Sequence, residues 1–319
     1  MQRRMVRIQD IASEVGVSPA TVSLVLNNKG NALRISPGVQ AAVLEAAQRM
    51  GYRPNLSARR LRSSTPEGLI LALLTAREAS FSLLHSVFAG AQRYANESPV
   101  PLQITVESFA QGKLSALAGL TNGMRFNGAI IANSGPEDDA FVVSHDLPMP
   151  VILFARHTEG HSCVDATDYA SGRMAAELLL KRGRRHLCLI RSGQPTQARE
   201  DRCRGFIDVA IASGYPPPLE ATAPTFDEQG GYTAITTLLS SKQVFDGIFA
   251  LFDYIAIGAI CALRQAIARY VEPPLTTFHM PLVEMAYDAA ASLVGILLGE
   301  LKEPICHTFQ TTLVERQSA

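Results

Sequence analysis

The chain has 319 residues, enough for two or three domains and a sizeable core. Hydrophobic residues make up 47% and charged residues 18%, which argues against a disordered chain and for a soluble globular one. Lys+Arg and Asp+Glu balance at 29 each, but residues 1–65 hold ten basic side chains against three acidic ones. A head of net charge +7 on a body of −7 points to a polyanion partner for the head alone.

The head reads as three short helices over residues 8–51. Ile8, Ile11, Ala12 and Val15 make an i, i+3, i+4, i+7 apolar stripe. Gly16 then permits a tight turn. Ser18-Pro19 is a capping hydroxyl followed by proline at the first helical position, so a second helix starts there and buries Val22, Val25 and Leu26. Ser36-Pro37 repeats that start, and Val39, Val43, Ala46, Ala47 and Met50 share one face of a third helix that Gly51 ends. Residues 52–66 read as a linker, with room for two helical turns over Asn55 to Leu61.

From Gly68 the pattern changes. Short β-rich runs (Leu69–Leu74, Leu102–Val106, Ala129–Ala132, Val151–Phe154, Leu187–Ile190 and Ile248–Leu251) alternate with helical segments near 83–96, 171–183, 201–213, 230–241 and 254–268. Alternating β and α predicts mostly parallel sheets covered by helices on both faces, and this length fits two α/β lobes.

Five cysteines (Cys163, Cys188, Cys203, Cys261 and Cys306) form no CxxC pair, and Cys188 and Cys261 lie in apolar runs. Buried free thiols in a reducing cytosol are expected. The basic N-terminus leads into no apolar h-region, and no run approaches the ~18 apolar residues of a membrane span. No GxGxxG follows the first strand, and no P-loop, HExxH or nucleophile elbow occurs, so no enzyme and no cofactor are expected. His157 and His161 have i, i+4 spacing beside Cys163 but share a glycine-containing loop. They read as solvent-exposed histidines, with no metal.

Two helices across a glycine turn, the second exposing small and hydroxyl residues at its start, suit a helix laid in the major groove. The run from Arg7 to Leu61, including Gly51-Tyr-Arg-Pro-Asn and Ala58-Arg-Arg-Leu, resembles the head of the lac repressor family of transcription regulators. That resemblance implies contacts to bases and phosphates from Ile8, Ser18, Pro19, Ala20, Thr21, Ser23, Leu24 and Asn27, with Pro19 and Ala20 in the main base-reading positions. Leu24 departs from the Arg or His common there. In the linker it implies a hinge helix whose Leu61 wedges into the minor groove, with Ala58 beside it and Arg59 near the phosphates. With few polar side chains for direct readout, specificity is expected to lean on the hinge and on DNA deformability.

The body resembles the family's periplasmic-binding-protein-like domain through Gly128-Ala-Ile-Ile, Pro150-Val-Ile-Leu-Phe, Gly172-Arg-Met-Ala-Ala-Glu-Leu-Leu, Arg202-Cys-Arg-Gly-Phe, Asp246-Gly-Ile-Phe-Ala and Pro274-Leu-Thr-Thr. Ligands in such folds bind between the lobes, at the carboxyl ends of strands. That rule selects Phe81, Ser134, Phe154, Arg156, Arg202 and Asp253. Arg202 and Asp253 also match family ligand contacts, whereas Phe81 and Phe154 suit ring stacking and core packing equally. Phe252 stands where the family usually has Asn. Relative to the family pattern, about 20 residues are absent after Ile267, and with them a strand and a ligand-contacting Asp. An internal parallel strand cannot be removed without orphaning its neighbours' backbone groups, which favours a segment missing from this sequence.

The expected architecture is an all-α helix-turn-helix head (1–53), a hinge (54–66) and an α/β two-lobed periplasmic-binding-protein-like effector domain (67–319). The expected function is that of a cytoplasmic, homodimeric, sequence-specific DNA-binding regulator, a repressor, controlled by a sugar, nucleobase or similar small molecule. The absence of a heptad tail favours a dimer over a tail-built tetramer. A transport solute receptor would share the two lobes but predicts an export signal and no DNA head, and an enzyme would need a reactive cluster.

Overall fold

Ile11, Ala12, Val22, Val25, Val43, Ala46 and Ala47 are buried together, and they come from three helices that cannot each bury a face alone. These are α1 (Ile8–Val15), α2 (Pro19–Leu26) and α3 (Pro37–Arg49). The computed structural model describes residues 8–26, 35–50, 68–77, 81–123, 125–192, 196–241, 243–267 and 275–318. Gly16 takes φ +72 between the first two helices, a conformation open to glycine at no steric cost. The Ser18 hydroxyl accepts from the Thr21 N–H at 3.1 Å, and Ser36 accepts from the Val39 N–H at 3.4 Å, so both expected caps form. Asn27 and the hinge residues Ala58, Arg59 and Leu61 lie outside the described residues.

The apolar run 69–76 is β1 (Leu69–Ala76), buried on both faces. Leu69, Leu71 and Leu73 face one core cluster; Ala72, Leu74 and Ala76 face another. A strand buried on both sides is what a parallel sheet between helices requires. β1 sits inside a six-stranded sheet of order β10-β5-β4-β3-β1-β2, formed with β2 (Leu102–Phe109), β3 (Gly128–Ala132), β4 (Val151–Phe154), β5 (Cys163–Ala166) and β10 (Cys306–Phe309). Helix α4 (Phe81–Glu97) covers one face beside α11 (Leu282–Leu298). The shorter α5 (Ala118–Asn122) and α6 (Pro136–Ser144) follow β2 and β3, and their Leu120 and Val142 pack into the other cluster.

The second lobe has a three-stranded parallel sheet, β7-β6-β8, from β6 (Leu187–Ser192), β7 (Leu219–Ala223) and β8 (Gly247–Ala250). Helices α7 (Asp168–Lys181) and α8 (Gln197–Ala212) cover one side; α9 (Glu228–Ser240) and α10 (Asp253–Ile267) cover the other. A short antiparallel pair, β9 (Thr277–His279) with β11 (Thr312–Val314), lies beside them. Among the described residues no strand flanks the outer edge of β8, and Ile248, Phe249 and Ala250 there are only half-buried.

The chain crosses between lobes three times: after β5, after β9 and between β10 and β11. The crossovers are tied together. Thr311 Oγ1 lies 2.5 Å from Ser171 Oγ and 3.2 Å from Thr167 Oγ1, and the Thr167 N–H donates to the Phe309 carbonyl at 3.1 Å.

The expectation of buried thiols needs correction at two positions. Cys261 is exposed on α10, because it falls on the outer face of a helix whose inner face is Ile255, Ala259 and Ala262; Cys306 is exposed on an edge strand. Only Cys163, Cys188 and Cys203 are buried. The long helix α11 belongs to the first lobe although it follows the second in sequence. No helix among the described residues is long and apolar enough to cross a membrane.

Candidate functional site

A cavity of about 730 Å³ lies between the lobes and continues along the open edge of β8. From the second lobe, Arg199 and Arg202 reach it, three residues apart near the start of α8 and so on one face. Arg202 Nε donates to Asp168 Oδ1 at 2.6 Å, and its Nη1 approaches the Leu251 carbonyl at 3.4 Å. Asp168 is buried at the start of α7; burial raises its pKa, and the Arg202 guanidinium opposes that rise. The Arg199 guanidinium lies 4.7 Å from the Phe226 ring centroid and 5.4 Å from that of Phe252. Burial, then the nearby Arg202 charge, push Arg199 down to about 10, so it stays cationic at neutral pH.

The first lobe presents backbone in an uncommon conformation. Asn133 and Ala155, at the ends of β3 and β4, have φ 56 and φ 57. Asn tolerates this region, whereas for Ala it costs about 1–2 kcal/mol. Asn133 Oδ1 accepts from Arg199 Nη2 at 3.0 Å, which joins the two lobes across the cleft. Its Nδ2 is buried without a hydrogen-bond partner, and the residue lines the cavity.

The residues selected from the sequence are placed as follows. Arg202, Asp253, Phe154 and Arg156 line the cavity. Phe154 is also fully buried in the first-lobe core, so it serves both packing and lining. Arg156 is almost entirely buried and is committed to Asp139 and Ser134; its burial lowers its pKa while Asp139 and Asp138 oppose that. Ser134 does not line the cavity, because its hydroxyl is held beneath Arg156 and Asp139 and its neighbour Asn133 takes the cleft position. Asp253 opens α10, is exposed, and accepts from Thr277 Oγ1 at 2.7 Å. Phe81 is the first residue of α4, and its side chain lies outside the described ones. The sequence reading did not select Arg199, Asn133 or Phe226. Arg199 had a signal, its i−3 spacing from Arg202; the other two depend on which loops meet in space.

A second contact spans the lobes. The His157 N–H donates to Gln197 Oε1 at 2.9 Å, and Gln197 Nε2 donates to the His157 carbonyl at 3.0 Å. The i, i+4 spacing of His157 and His161 does not make a pair. His157 groups instead with Cys163 and Cys306, which neighbouring strands bring to it.

In the head, Ser18, Pro19 and Ala20 are exposed at the start of α2, while Thr21, Ser23, Leu24 and Ile8 are half-buried. Ser18 and Thr21 hydroxyls lie 2.9 Å apart, so both are held at the helix N-terminus, where N–H groups favour an anion. Arg49 pairs with Glu14 at 2.6 Å and braces α3 against α1.

Comparison with known proteins agrees with both halves. The model of bacterial regulatory proteins of the lacI family matches residues 7–55, and that of the periplasmic-binding-protein-like domain matches residues 176–319. The chain is 29% identical to the HTH-type transcriptional regulator GalS of Salmonella typhimurium, over 98% of this chain and 96% of GalS. It is 26% identical to the repressor PurR of Edwardsiella ictaluri, over 98% and 97%. The GalS alignment runs over 335 positions, more than the 319 residues of the chain, so GalS carries residues with no counterpart here. Among solved structures, the CelR–cellobiose complex superposes with TM-score 0.69 at 24% identity, covering 98% of this chain and all of that one (100%). The lac repressor dimer bound to operator and an anti-inducer gives 0.69 at 18%, covering 98% and 99%. With a matching head, a matching sensor domain and relatives aligned end to end, the chain belongs to the lac repressor family.

Proposed function

We propose that the protein is a sequence-specific DNA-binding transcription regulator, a repressor, whose operator affinity is set by a small molecule held between the two lobes. One observation carries the reading: a capped helix-turn-helix head shares a chain with a hinged two-lobed body whose cleft is lined by Arg199, Arg202, Asn133 and Asp253. Directional donors and an acceptor beside Phe226 and Phe252 suit a hydroxylated ring or a heteroaromatic base, so a sugar or nucleobase is the favoured effector class. The relatives are regulators and repressors by name, and one solved neighbour holds cellobiose.

A ligand that binds one lobe arrangement more tightly shifts the equilibrium toward it. The cross-cleft pairs Asn133–Arg199 and His157–Gln197 are the contacts such a shift would make or break. In a homodimer acting in the cytoplasm, that movement would alter the spacing of two heads on a two-fold operator. The boundaries 1–53, 54–66 and 67–319 give head, hinge and sensor, and the reading assigns no catalysis.

Footprinting on genomic fragments at physiological salt tests it, followed by titration with sugars, nucleobases and amino acids. Protection of a roughly palindromic site, altered by one ligand class, is expected; binding without sequence preference would overturn the reading. Leu61→Ala is expected to weaken operator binding and bending, and unchanged values would remove the hinge from the mechanism.

A further inference from the structure

Outside the cleft, three side chains with soft donor atoms meet at the rim of the first lobe. Cys163 begins β5 and Cys306 begins β10; these strands are parallel neighbours, with Cys163 directly in register with Cys306. The two thiols therefore project from one end of the sheet edge. His157 arrives from the loop after β4. One donor atom from each of the three lies within 4.8 Å of the others, and Cys163 Sγ is 3.7 Å from His157 Nδ1.

We propose that His157, Cys163 and Cys306 form a binding site for one soft divalent metal ion of the zinc class, with Asp165 beside it. The spacing fits. Zinc bonds of about 2.3 Å to sulfur and about 2.0 Å to nitrogen, at a tetrahedral angle, put sulfur and nitrogen about 3.6 Å apart. The Cys163–His157 pair already stands at that separation. Thiolate and imidazole together select zinc-like ions over calcium or magnesium, which take oxygen ligands.

Asp165 supplies an independent observation. It lies two residues along β5, so it projects from the same side as Cys163. Its Oδ2 is 3.4 Å from His157 Nδ1. Its Oδ1 is buried with no hydrogen-bond partner. A buried carboxylate oxygen left unsatisfied costs free energy, and a cation held by the adjacent imidazole and thiolates would offset its charge. The buried Cys163 and the exposed Cys306 and His157 make the site closed on one side and reachable on the other.

The placement gives the ion a mechanical consequence. His157 is the residue whose main chain pairs with Gln197 of the second lobe. Cys306 lies in the strand that leads into the third crossover. An ion held by both ties the interlobe contact to the sheet. On binding, each thiol gives its proton to solvent and the ion takes up the two sulfur lone pairs, so no redox partner is involved.

The test uses the full chain, reduced with a phosphine and freed of metal by chelation. Cobalt(II) serves as an optical probe and zinc as its competitor. One cobalt per chain with a thiolate-to-cobalt charge-transfer band, displaced by stoichiometric zinc, is expected. Cys306→Ser and His157→Ala should each weaken binding at least 10-fold, by analogy with the loss of a metal-site partner. Cys261→Ser, on a distant helix face, should leave it unchanged. Cys306 and His157 are exposed, so these variants keep the fold where Cys163→Ser would disturb a buried position; their melting temperatures without metal check this. Absence of stoichiometric binding, or a charge-transfer band whose intensity and cobalt affinity are unchanged by Cys306→Ser, would overturn the site.

Discussion

Arg202 donates through Nε to Asp168 Oδ1 at 2.6 Å, and this pair locks the cleft-facing helix to the helix that begins at the first interlobe crossover. Asp168 is only 5% exposed, so its charge depends on that partner. Arg202→Ala would leave a buried carboxylate alone, at a cost of about 3–5 kcal/mol. Arg202→Ala with Asp168→Asn should recover most of that loss while leaving the effector response abolished. Urea denaturation of the two singles and the double measures the coupling; a double mutant no more stable than Arg202→Ala would refute the pairing as the cause.

Gly172 sets how closely these helices approach. A Cβ there would stand 1.9 Å from the Arg202 carbonyl oxygen, which is backbone and cannot swing aside. Gly172→Ala should therefore push α8 from α7, lowering stability by about 1–3 kcal/mol and weakening effector binding together. Melting scans and ligand titration check both effects, and full effector affinity in a destabilised variant would separate packing from the site.

The head should divide stability from specificity. Ser18→Ala removes a helix cap and should cost about 1 kcal/mol and weaken binding to all DNA sequences alike. Ala20 is exposed at the same helix start, so Ala20→Arg should leave melting within about 0.5 kcal/mol while changing the preferred operator in a selection from random DNA. An unchanged preference would show that this face does not read bases.

Two buried thiols set an alkaline limit. Burial pushes Cys188 up to about 12 and Cys203 up to about 11, from an ordinary 9.0. The unfolded chain releases these protons from about pH 9 upward, while the native chain holds them. Their contribution to stability is complete below that pH and is lost as pH rises through 11 to 12. Between pH 8 and about 10.5, wild type should lose more stability than Cys188→Ala. In the native state at pH 8, a thiol reagent should label the exposed Cys261 and Cys306 but not Cys188 or Cys203.

The local chemistry of this chain is readable from the order of its residues. Ser18-Pro19, Ser36-Pro37 and Gly16 fix helix starts and a turn through hydrogen bonds and dihedrals that involve neighbours in sequence, so the head is legible residue by residue. The long apolar run of β1 likewise announces a strand buried on both faces. Arg202 and Asp253 could be selected because strand ends mark clefts in any parallel sheet. What the sequence could not set was which distant segments meet. β5, β10 and β11 are three or four residues long, too short for a periodic signal, and only their crossings between lobes make them a hinge. Asn133 meets Arg199 across 66 positions of chain, and Cys163 meets Cys306 because two strands pair in register. Ser134 and Asn133 are adjacent in sequence, yet one is spent beneath Arg156 and the other faces the cleft. Alternation along the backbone offers both side chains; the packing of the folded lobe decides which one a ligand can reach.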